Sequence, residues 1–169
     1  YGQPAVAVAI DARVRVSIDE SDTGWSIDGM TFDKKRHPHI DSIRKRLWTL
    51  DGGAPLSLQV KSELFSSAGL GSSAAICSAL AAGLLHRAGT DADELPLAGI
   101  ATSAHLAEAE AQGGRASPVD TSTVTLGGAV LVSDRKEAMA NWQFTRDLRI
   151  DGQRRAWEVH RIDLPESLN

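Results

Sequence analysis

Hydrophobic residues dominate residues 4–19 near the start of the chain, and in the second half of this segment they alternate with polar residues. Val14, Val16 and Ile18 are separated by single polar residues, so one side of the segment is apolar and the other side is polar. A period of two residues is typical of a β-strand with one face buried and one face in water. The pattern therefore predicts one long strand, or two joined strands, over residues 4–19.

Shorter patterns of the same kind predict further strands. Residues 21–24 form a predicted turn, and residues 25–27 return from it, which predicts a hairpin with the preceding strand. Asp28 and Gly29 mark a second tight turn before residues 30–32. The other predicted strands are 55–60, 129–132 and 156–162.

Three segments have the pattern of helices. Residues 39–50 carry apolar side chains at helical spacing and are followed by a glycine pair that ends the predicted helix. Residues 72–86 are rich in alanine and apolar almost all round, which is typical of a central, buried helix. Residues 94–111 form a second alanine-rich predicted helix, which ends at Gly113 and Gly114.

The remaining segments are polar. Residues 115–128 are predicted to form a loop with room for one helical turn, and residues 134–147 are predicted to form an exposed, irregular connection. Strands come first along the chain, and helices are then mixed with strands. This order favours the α+β class, with a mixed sheet packed against helices, over a regular βαβ winding.

The composition narrows the class of protein. The chain has 169 residues, of which 42% are hydrophobic and 24% are charged, as in one ordinary globular domain. Its net charge of -4 argues against a surface for nucleic acids or membranes, because such surfaces usually carry a basic excess. No run approaches the roughly 18 apolar residues of a membrane-spanning helix, and residues 1–20 lack the pattern of a signal peptide.

The single cysteine, Cys77, bears on the compartment. One cysteine excludes an intramolecular disulfide and a multi-cysteine zinc site, so a reducing, cytoplasmic setting fits best. Because Cys77 lies on an apolar predicted helix with no base close in sequence, we interpret it as a core residue rather than a nucleophile. The chain begins at Tyr1 within an apolar run and ends without a closing element, so we interpret it as a piece of a longer protein.

The most informative segment lies between the strand at 55–60 and the helix at 72–86. Residues 66–75 read Ser-Ser-Ala-Gly-Leu-Gly-Ser-Ser-Ala-Ala. Two glycines let a ligand approach the main chain, and the N-terminus of the following helix offers unpaired N–H groups to an anion. Alternatively, Gly69 and Gly71 form only a tight turn and the serines only cap the helix. The spacing fits neither a Walker A loop, which needs a lysine after the second glycine, nor the three-glycine dinucleotide-binding motif.

Two glutamates on the predicted helix at 94–111 are candidate metal ligands. Glu108 shares a helical face with an apolar stripe, whereas Glu110 lies on a more mixed face, so Glu108 is predicted to point inwards. A buried carboxylate needs a partner, and Mg²⁺ can provide one, with a serine hydroxyl of the glycine-rich segment as a second ligand. A salt-bridged or rim glutamate is the alternative. His105 lies one helical turn from Glu108, within reach of a local contact.

Asp120 is the candidate acid–base residue. It lies among hydroxyl side chains in residues 114–128 and follows Pro118, which stiffens the approach. Such a carboxylate can act as a general base or can orient a substrate hydroxyl. Alternatively, Asp120 caps a short helical turn through Thr121 to Thr123.

Both motifs resemble those of one kinase family. Residues 69–75, Gly-Leu-Gly-Ser-Ser-Ala-Ala, are similar to the phosphate-binding motif of the GHMP kinases, the family of galactokinase, homoserine kinase, mevalonate kinase and phosphomevalonate kinase. Residues 117–128 resemble the Ser-Gly-(Val or Ile)-Asp-x-x-Val-Ser-Thr-x-Gly-Gly signature of its mevalonate kinase branch. They depart from it at Pro118, where glycine is common, and at residues 123–126, where Val-Ser-Thr-aromatic is usual. The resemblance covers residues 1–132.

The resemblance implies a role for each candidate residue. Glu108 and Ser73 would hold Mg²⁺, and Asp120 would be the catalytic aspartate that takes or orients the hydroxyl proton. The loop before Asp120 holds one residue more than the family spacing, and allowing for it favours Glu108 over Glu110. The residues that would cradle the phosphates of ATP are Ala68, Gly69, Leu70, Gly71, Ser72 and Ser73.

The resemblance also implies a fold and an activity. The fold would be the ribosomal protein S5 domain 2-like N-terminal domain of GHMP kinases, with residues 1–169 forming that domain, truncated at its N-terminus, and the C-terminal domain absent. The activity would be ATP-dependent phosphorylation of a small alcohol, with mevalonate as the favoured substrate. Its partners would be a small molecule, not a nucleic acid or a membrane, and a homodimer is left open. The alternatives are phosphomevalonate kinase, homoserine kinase or a non-catalytic nucleotide-binding fragment.

Overall fold

A computed structural model describes residues 3–48, 53–64 and 69–164. Eight strands and four helices are present in these ranges, with a short 3-10 turn before the third helix. The strands are β1 (Ala5–Val8), β2 (Val14–Glu20), β3 (Ser26–Ile27), β4 (Met30–Thr31), β5 (Leu56–Ser62), β6 (Ala129–Ser133), β7 (Asn141–Ile150) and β8 (Gln153–Ile162). The helices are α1 (Pro38–Leu47), α2 (Ser72–Arg87), α3 (Leu97–Ala111) and α4 (Val119–Leu126).

The strands form two four-stranded sheets. The order in the first sheet is β1-β6-β8-β7, and every neighbouring pair in it is antiparallel. The order in the second sheet is β2-β5-β3-β4, in which β3 and β5 are parallel and the other pairs are antiparallel. Helix α2 is central, because it contacts α1, α3, α4 and β2. The prediction of an α+β fold is therefore confirmed.

The main core lies between the second sheet and helices α1, α2 and α3. Ile43, Leu58, Leu80 and Leu84 in this core are fully buried, as an apolar helix at the centre of the fold requires. Helix α2 comes so close to β2 that a Cβ atom on Gly83 would lie 2.6 Å from Cδ1 of Ile18. The prediction of a buried central helix over residues 72–86 is confirmed.

The hairpin predicted between residues 4–19 and 25–27 is wrong. Residues 4–19 contain two strands that belong to different sheets, and β5 lies between β2 and β3. Strand β2 pairs with β5 over seven residues, whereas β3 has only two residues to offer. The pairing of β2 with β5 is favoured because it buries Leu56 and Leu58 completely under the helices.

Two polar segments are more regular than predicted. Residues 134–147 are not an irregular connection throughout, since β7 begins at Asn141 and pairs with β8 along its length. Residues 115–128 contain the two-turn helix α4 rather than a single turn. Thr123 Oγ1 donates a hydrogen bond to the carbonyl oxygen of Val119 at 2.8 Å, so this hydroxyl bonds back to the preceding turn and is compatible with the helix.

The ends of two helices differ from the predicted ones or lie outside the described residues. Helix α1 ends at Leu47, with Trp48 as its C-cap, and the predicted end at residue 50 lies outside the described residues. Helix α3 starts at Leu97, three residues later than predicted. Among the described residues, no helix is both long and apolar enough to cross a membrane.

Candidate active site

The glycine-rich segment turns sharply into helix α2. Gly69 and Gly71 have φ angles of 69° and 72°, in the left-handed region that side chains with a Cβ rarely adopt. Gly71 occupies the N-cap position of the helix, and Ser72 is its first residue. The alternative that Ser72 or Ser73 is the helix cap is therefore wrong. Ala68 lies outside the described residues.

Helix α3 separates its two glutamates by burial. Glu108 is only 7% exposed, whereas the side chain of Glu110 is 41% exposed. Glu110 accepts a hydrogen bond from Ser42 at 2.5 Å and forms an ion pair with Arg46, both on α1. The prediction that Glu108 is the inward-facing glutamate is confirmed, and the salt-bridged alternative describes Glu110 instead.

Glu108 is held in an unfavourable electrostatic environment. Burial raises the pKa of this carboxyl, and the negative charge of Asp120 raises the pKa further. A hydrogen bond between Glu108 and Ser73 of α2 acts in the opposite direction. Two carboxylates and a hydroxyl from three helices thus meet at one corner, with no salt-bridge partner shown for Glu108 in the described part of the chain.

This corner has the chemistry of a magnesium site that is completed by a ligand. Carboxylate and hydroxyl oxygens are the donors that Mg²⁺ prefers, and a cation would offset the charge that raises the pKa of Glu108. Within the described ranges, no group of three or more His, Cys, Asp or Glu side chains could enclose a metal ion. Mg²⁺ commonly keeps water and substrate phosphates as its remaining ligands, so Ser73 and Glu108 fit the ion as a partial set of ligands.

Asp120 lies directly against the glycine turn. It is the second residue of α4, whose N-cap position is held by Pro118, so the alternative of Asp120 as a helix cap is wrong. A Cβ atom on Gly71 would lie 3.6 Å from Cβ and Cγ of Asp120 and 3.7 Å from its Oδ2. These are ordinary van der Waals distances, so glycine at position 71 is needed for the left-handed backbone, and Asp120 packs beside it.

A groove of about 710 Å³ opens beside this contact. Gly69, Gly71 and Asp120 line it together with apolar residues of α2 and of the segment after β1. Ser73 and Glu108 are not among the described residues that line the groove. Asp120 is therefore the carboxylate of the pair that a molecule in the groove would meet first.

One polar pair in the groove was not predicted from the sequence. Thr125 of α4 donates a hydrogen bond to the hydroxyl of Ser78 of α2 at 3.0 Å, and both residues line the groove. Ser78 follows Gly71 by seven residues, or two helical turns, so it lies on the same side of α2 as the glycine. That spacing is the signal that could have identified Ser78 as a groove residue.

Cys77 and His105 have different surroundings. Cys77 is fully buried, and burial, followed by the charge of Glu108, raises the pKa of its thiol to about 12. The interpretation of Cys77 as a core residue is confirmed. The ring of His105 makes its hydrogen bond not with Glu108 but with the carbonyl oxygen of Ala116, at 3.2 Å.

Comparison with known families identifies the class of protein. Residues 39–128 match the family model described as the GHMP kinases N terminal domain, which is more than half of the chain. The chain belongs to the GHMP kinase family. The matched range contains Gly69, Gly71, Ser73, Glu108 and Asp120.

Two curated relatives carry one name. The chain is 34% identical over 153 residues to the mevalonate kinase of Methanothermobacter thermautotrophicus, and the match covers 88% of this chain and 48% of the relative. It is 33% identical over 147 residues to the mevalonate kinase of Archaeoglobus fulgidus, with 85% and 50% covered. The chain spans about half the length of the curated relatives it matches.

Solved structures agree on the fold. The mevalonate kinase of Methanococcus jannaschii superimposes with a TM-score of 0.66 at 22% identity, over 86% of this chain and 54% of that one. The mevalonate kinase of methicillin-resistant Staphylococcus aureus has a TM-score of 0.56 at 28% identity, over 92% and 48%. The phosphomevalonate kinase of Streptococcus pneumoniae has a TM-score of 0.61 at 19% identity, over 78% and 41%. The fold expected from the sequence resemblance is confirmed.

Proposed function

We propose that residues 1–169 are the nucleotide-binding N-terminal domain of a kinase that transfers the γ-phosphate of ATP to the terminal hydroxyl of mevalonate. Two curated relatives named mevalonate kinase, at 34% and 33% identity, support this substrate. Because the chain spans about half of each relative, the proposed activity is that of the whole protein. The observation that carries the proposal is that Asp120 and the glycine turn line one groove, close to the buried Glu108 and to Ser73.

The glycine turn is proposed to bind the β- and γ-phosphates. Main-chain N–H groups from Ala68 to Ser73 would donate to phosphate oxygens, and the N-terminus of α2 would favour their negative charge. The N-cap residue of α2 is Gly71, which has no side chain to compete for the first N–H groups of the helix, and this supports the role. A Cβ atom on Gly69 would meet no described atom within 4 Å, and the nearest neighbour of a Cβ atom on Gly71 would be Asp120. The main chain of the turn is therefore open to phosphate oxygens.

Ser73 and Glu108 are proposed to hold Mg²⁺. When bound, the ion would neutralise charge on the phosphates and on the group that is transferred. Helix α3 holds Glu108 in a buried position, and the hydroxyl of Ser73 lies beside its carboxylate. The raised pKa of Glu108 supports the assignment, because perturbed carboxyl groups cluster at functional sites.

Asp120 is proposed to accept or orient the proton of the substrate hydroxyl. Asp120 lines the groove together with Gly69 and Gly71, so a hydroxyl held there would lie near both the aspartate and the phosphate turn. A positioned base of this kind typically contributes about 10²- to 10⁴-fold to the rate. The hydrogen bond between Thr125 and Ser78 fixes α4 against α2 and thereby holds Asp120 at the turn.

A coupled ATP assay on the full product of the gene tests the proposal. The panel contains mevalonate, phosphomevalonate and homoserine, with Mg²⁺ present, and phosphorylated products are identified by mass spectrometry. We expect turnover with mevalonate in excess of the other two alcohols. Turnover with phosphomevalonate or homoserine alone would move the protein to another branch of the family, and ATP binding without any product would support a non-catalytic module.

The same proposal includes a cytoplasmic location and a small-molecule partner. A net charge of -4 gives no basic excess for nucleic acid, and the buried thiol of Cys77 needs no oxidising compartment. Cell fractionation with an antibody to the protein measures the location. Sedimentation of the purified protein measures whether it forms a homodimer.

A further inference from the structure

The connection between α3 and α4 joins the two carboxylates of the proposed site. Residues 112–118 run from the helix that carries Glu108 to the helix that carries Asp120. Gly113 and Gly114 in this connection have φ angles of 60° and 77°. Because the two helix ends are tied through this short segment, its conformation helps to set the separation of the two carboxylates.

His105 holds this connection from inside the fold. It lies one turn before Glu108 on α3, its side chain is completely buried, and its Nε2 lies 3.2 Å from the carbonyl oxygen of Ala116. Burial, followed by the charge of Arg146, lowers the pKa of His105 to about 4, so the ring is neutral near pH 7. A carbonyl oxygen can only accept, so Nε2 carries the hydrogen and donates it.

The ring has no second polar contact within the part of the chain that the structure describes. Nδ1 of His105 is buried without a hydrogen-bond partner. The ring instead packs edge-on against Trp157 of β8, with 5.4 Å between the centroids. The bond to Ala116 is therefore the polar interaction that a change at His105 would remove.

The β7–β8 hairpin supports the same connection from the other side. A nitrogen of Arg155 donates a hydrogen bond to the carbonyl oxygen of Gly114 at 3.4 Å. A Cβ atom on Gly114 would lie 2.9 Å from Cγ2 of Ile150, so the hairpin closes directly on the glycine. This hairpin lies beyond residue 128, outside the range matched by the family model.

We propose that His105 is a positioning residue, whose bond to Ala116 fixes the connection and so sets Glu108 and Asp120 at their working separation. His105 is not among the described residues that line the groove, and in this proposal it acts through the main chain of residues 112–118. The inference rests on the proposed function, because its consequence is measured as turnover. A misplacement of about 1 Å can cost up to about 10²-fold in rate, so loss of the bond is expected to appear mainly in kcat.

Three substitutions at His105 test the role in the full protein. His105→Phe keeps an aromatic ring against Trp157 but removes the donor. His105→Gln keeps a donor at similar reach, and His105→Asn keeps a donor that is too short to reach Ala116. We expect kcat to fall about tenfold or more for Phe and Asn and to stay within about threefold for Gln, with the KM for ATP nearly constant in all three.

A matched control is available on α2. His86 is exposed and also bonds to a main-chain carbonyl just beyond its helix, with Nδ1 2.9 Å from the oxygen of Thr90. His86→Phe removes the same kind of bond far from the carboxylates, and we expect kcat to stay unchanged. Thermal unfolding of every variant separates loss of stability from loss of rate.

The outcomes decide between a positioning role and a merely structural one. Equal kcat values for the Gln and Asn variants would overturn the proposal, and so would a His105→Phe variant that unfolds at a lower temperature but keeps its kcat. If His105→Phe does not fold, the Gln and Asn pair decides alone. A wild type without turnover contradicts the proposed function, whereas an active wild type with unaffected variants contradicts only the role of His105.

Discussion

Glu108 and Glu110 lie two residues apart on helix α3 and have opposite surroundings. Glu110 is partly exposed and is compensated by Arg46 and by the hydroxyl of Ser42. Glu108 is buried, this burial and the charge of Asp120 raise the pKa of its carboxyl, and the nearby hydroxyl of Ser73 lowers it. A charged side chain in a fold is normally paired with an opposite charge. Among the described residues, Glu110 follows this rule, and Glu108 does not.

The difference separates a structural charge from a functional one. An exposed ion pair contributes about 0–1 kcal/mol to stability and is common on protein surfaces. An uncompensated buried carboxylate beside a like charge opposes folding, and such groups persist mainly where a ligand or a reaction needs them. The contrast therefore supports the proposed metal site at Glu108 rather than at Glu110, and it makes predictions that differ for the two residues.

The largest effect is expected for Asp120→Asn. This change keeps the shape of the side chain against Gly71 but removes the proton acceptor. We expect kcat to fall by about 10²- to 10⁴-fold, with little change in the affinity for ATP. Steady-state kinetics and nucleotide titration measure the two quantities, and near-normal turnover of this variant would remove Asp120 from the mechanism.

Glu108→Gln is expected to lower activity and raise stability together. We expect kcat with Mg²⁺ to fall by about 10²-fold, because a carboxylate ligand is lost and charge on the phosphates is less well offset. The metal-free protein should unfold at a higher temperature near pH 7, because a buried charge next to Asp120 is removed. Activity and thermal unfolding are measured on the same preparation. A variant that is both active and less stable than the wild type would contradict the assignment.

The binding of Mn²⁺, a spectroscopic substitute for Mg²⁺, is expected to depend on pH through Glu108. Because the folded pKa of Glu108 is raised above its unfolded value, protonation of Glu108 contributes stability at low pH, and this contribution is lost as the pH rises through the folded pKa. Metal binding needs the ionised carboxylate, so the affinity for Mn²⁺ should increase by up to about tenfold per pH unit as the pH rises towards the folded pKa of Glu108. Titration followed by electron paramagnetic resonance measures it, and Glu108→Gln should flatten the curve.

The local parts of the site could be predicted from the sequence. The two glycines, the serines and the apolar helix of residues 72–86 are adjacent in the chain, so their geometry follows from turn and helix chemistry. The choice of Glu108 over Glu110 followed from helical periodicity, and the spacing of the family motif favoured the same residue. The contact of Asp120 with Gly71 could not be derived from spacing, because it joins helices more than 45 residues apart in sequence.

The errors have physical causes in particular residues. Strand β7 has a charged residue, Arg146, at an inward position, where it is only 4% exposed. The strand therefore lacks the alternation of apolar and polar residues by which a strand is predicted. Helix α4 is rich in Thr and Ser, which usually favour turns and caps, and the structure shows Thr123 bonding back along the helix instead. The pairing of β2 with β5 is a long-range choice that no local pattern encodes.

Glu110→Gln is the smallest expected effect and the most direct check of the comparison. The change removes the ion pair with Arg46 but leaves an amide that can still accept a hydrogen bond from Ser42. Because both partners of the ion pair are about 40% exposed, we expect the free energy of unfolding to fall by less than about 1 kcal/mol. The kcat and the affinity for Mn²⁺ should equal those of the wild type, since Glu110 faces α1 and not Asp120. Chemical denaturation and steady-state kinetics measure these quantities, and a tenfold loss of kcat would mean that the metal-binding role had been given to the wrong glutamate.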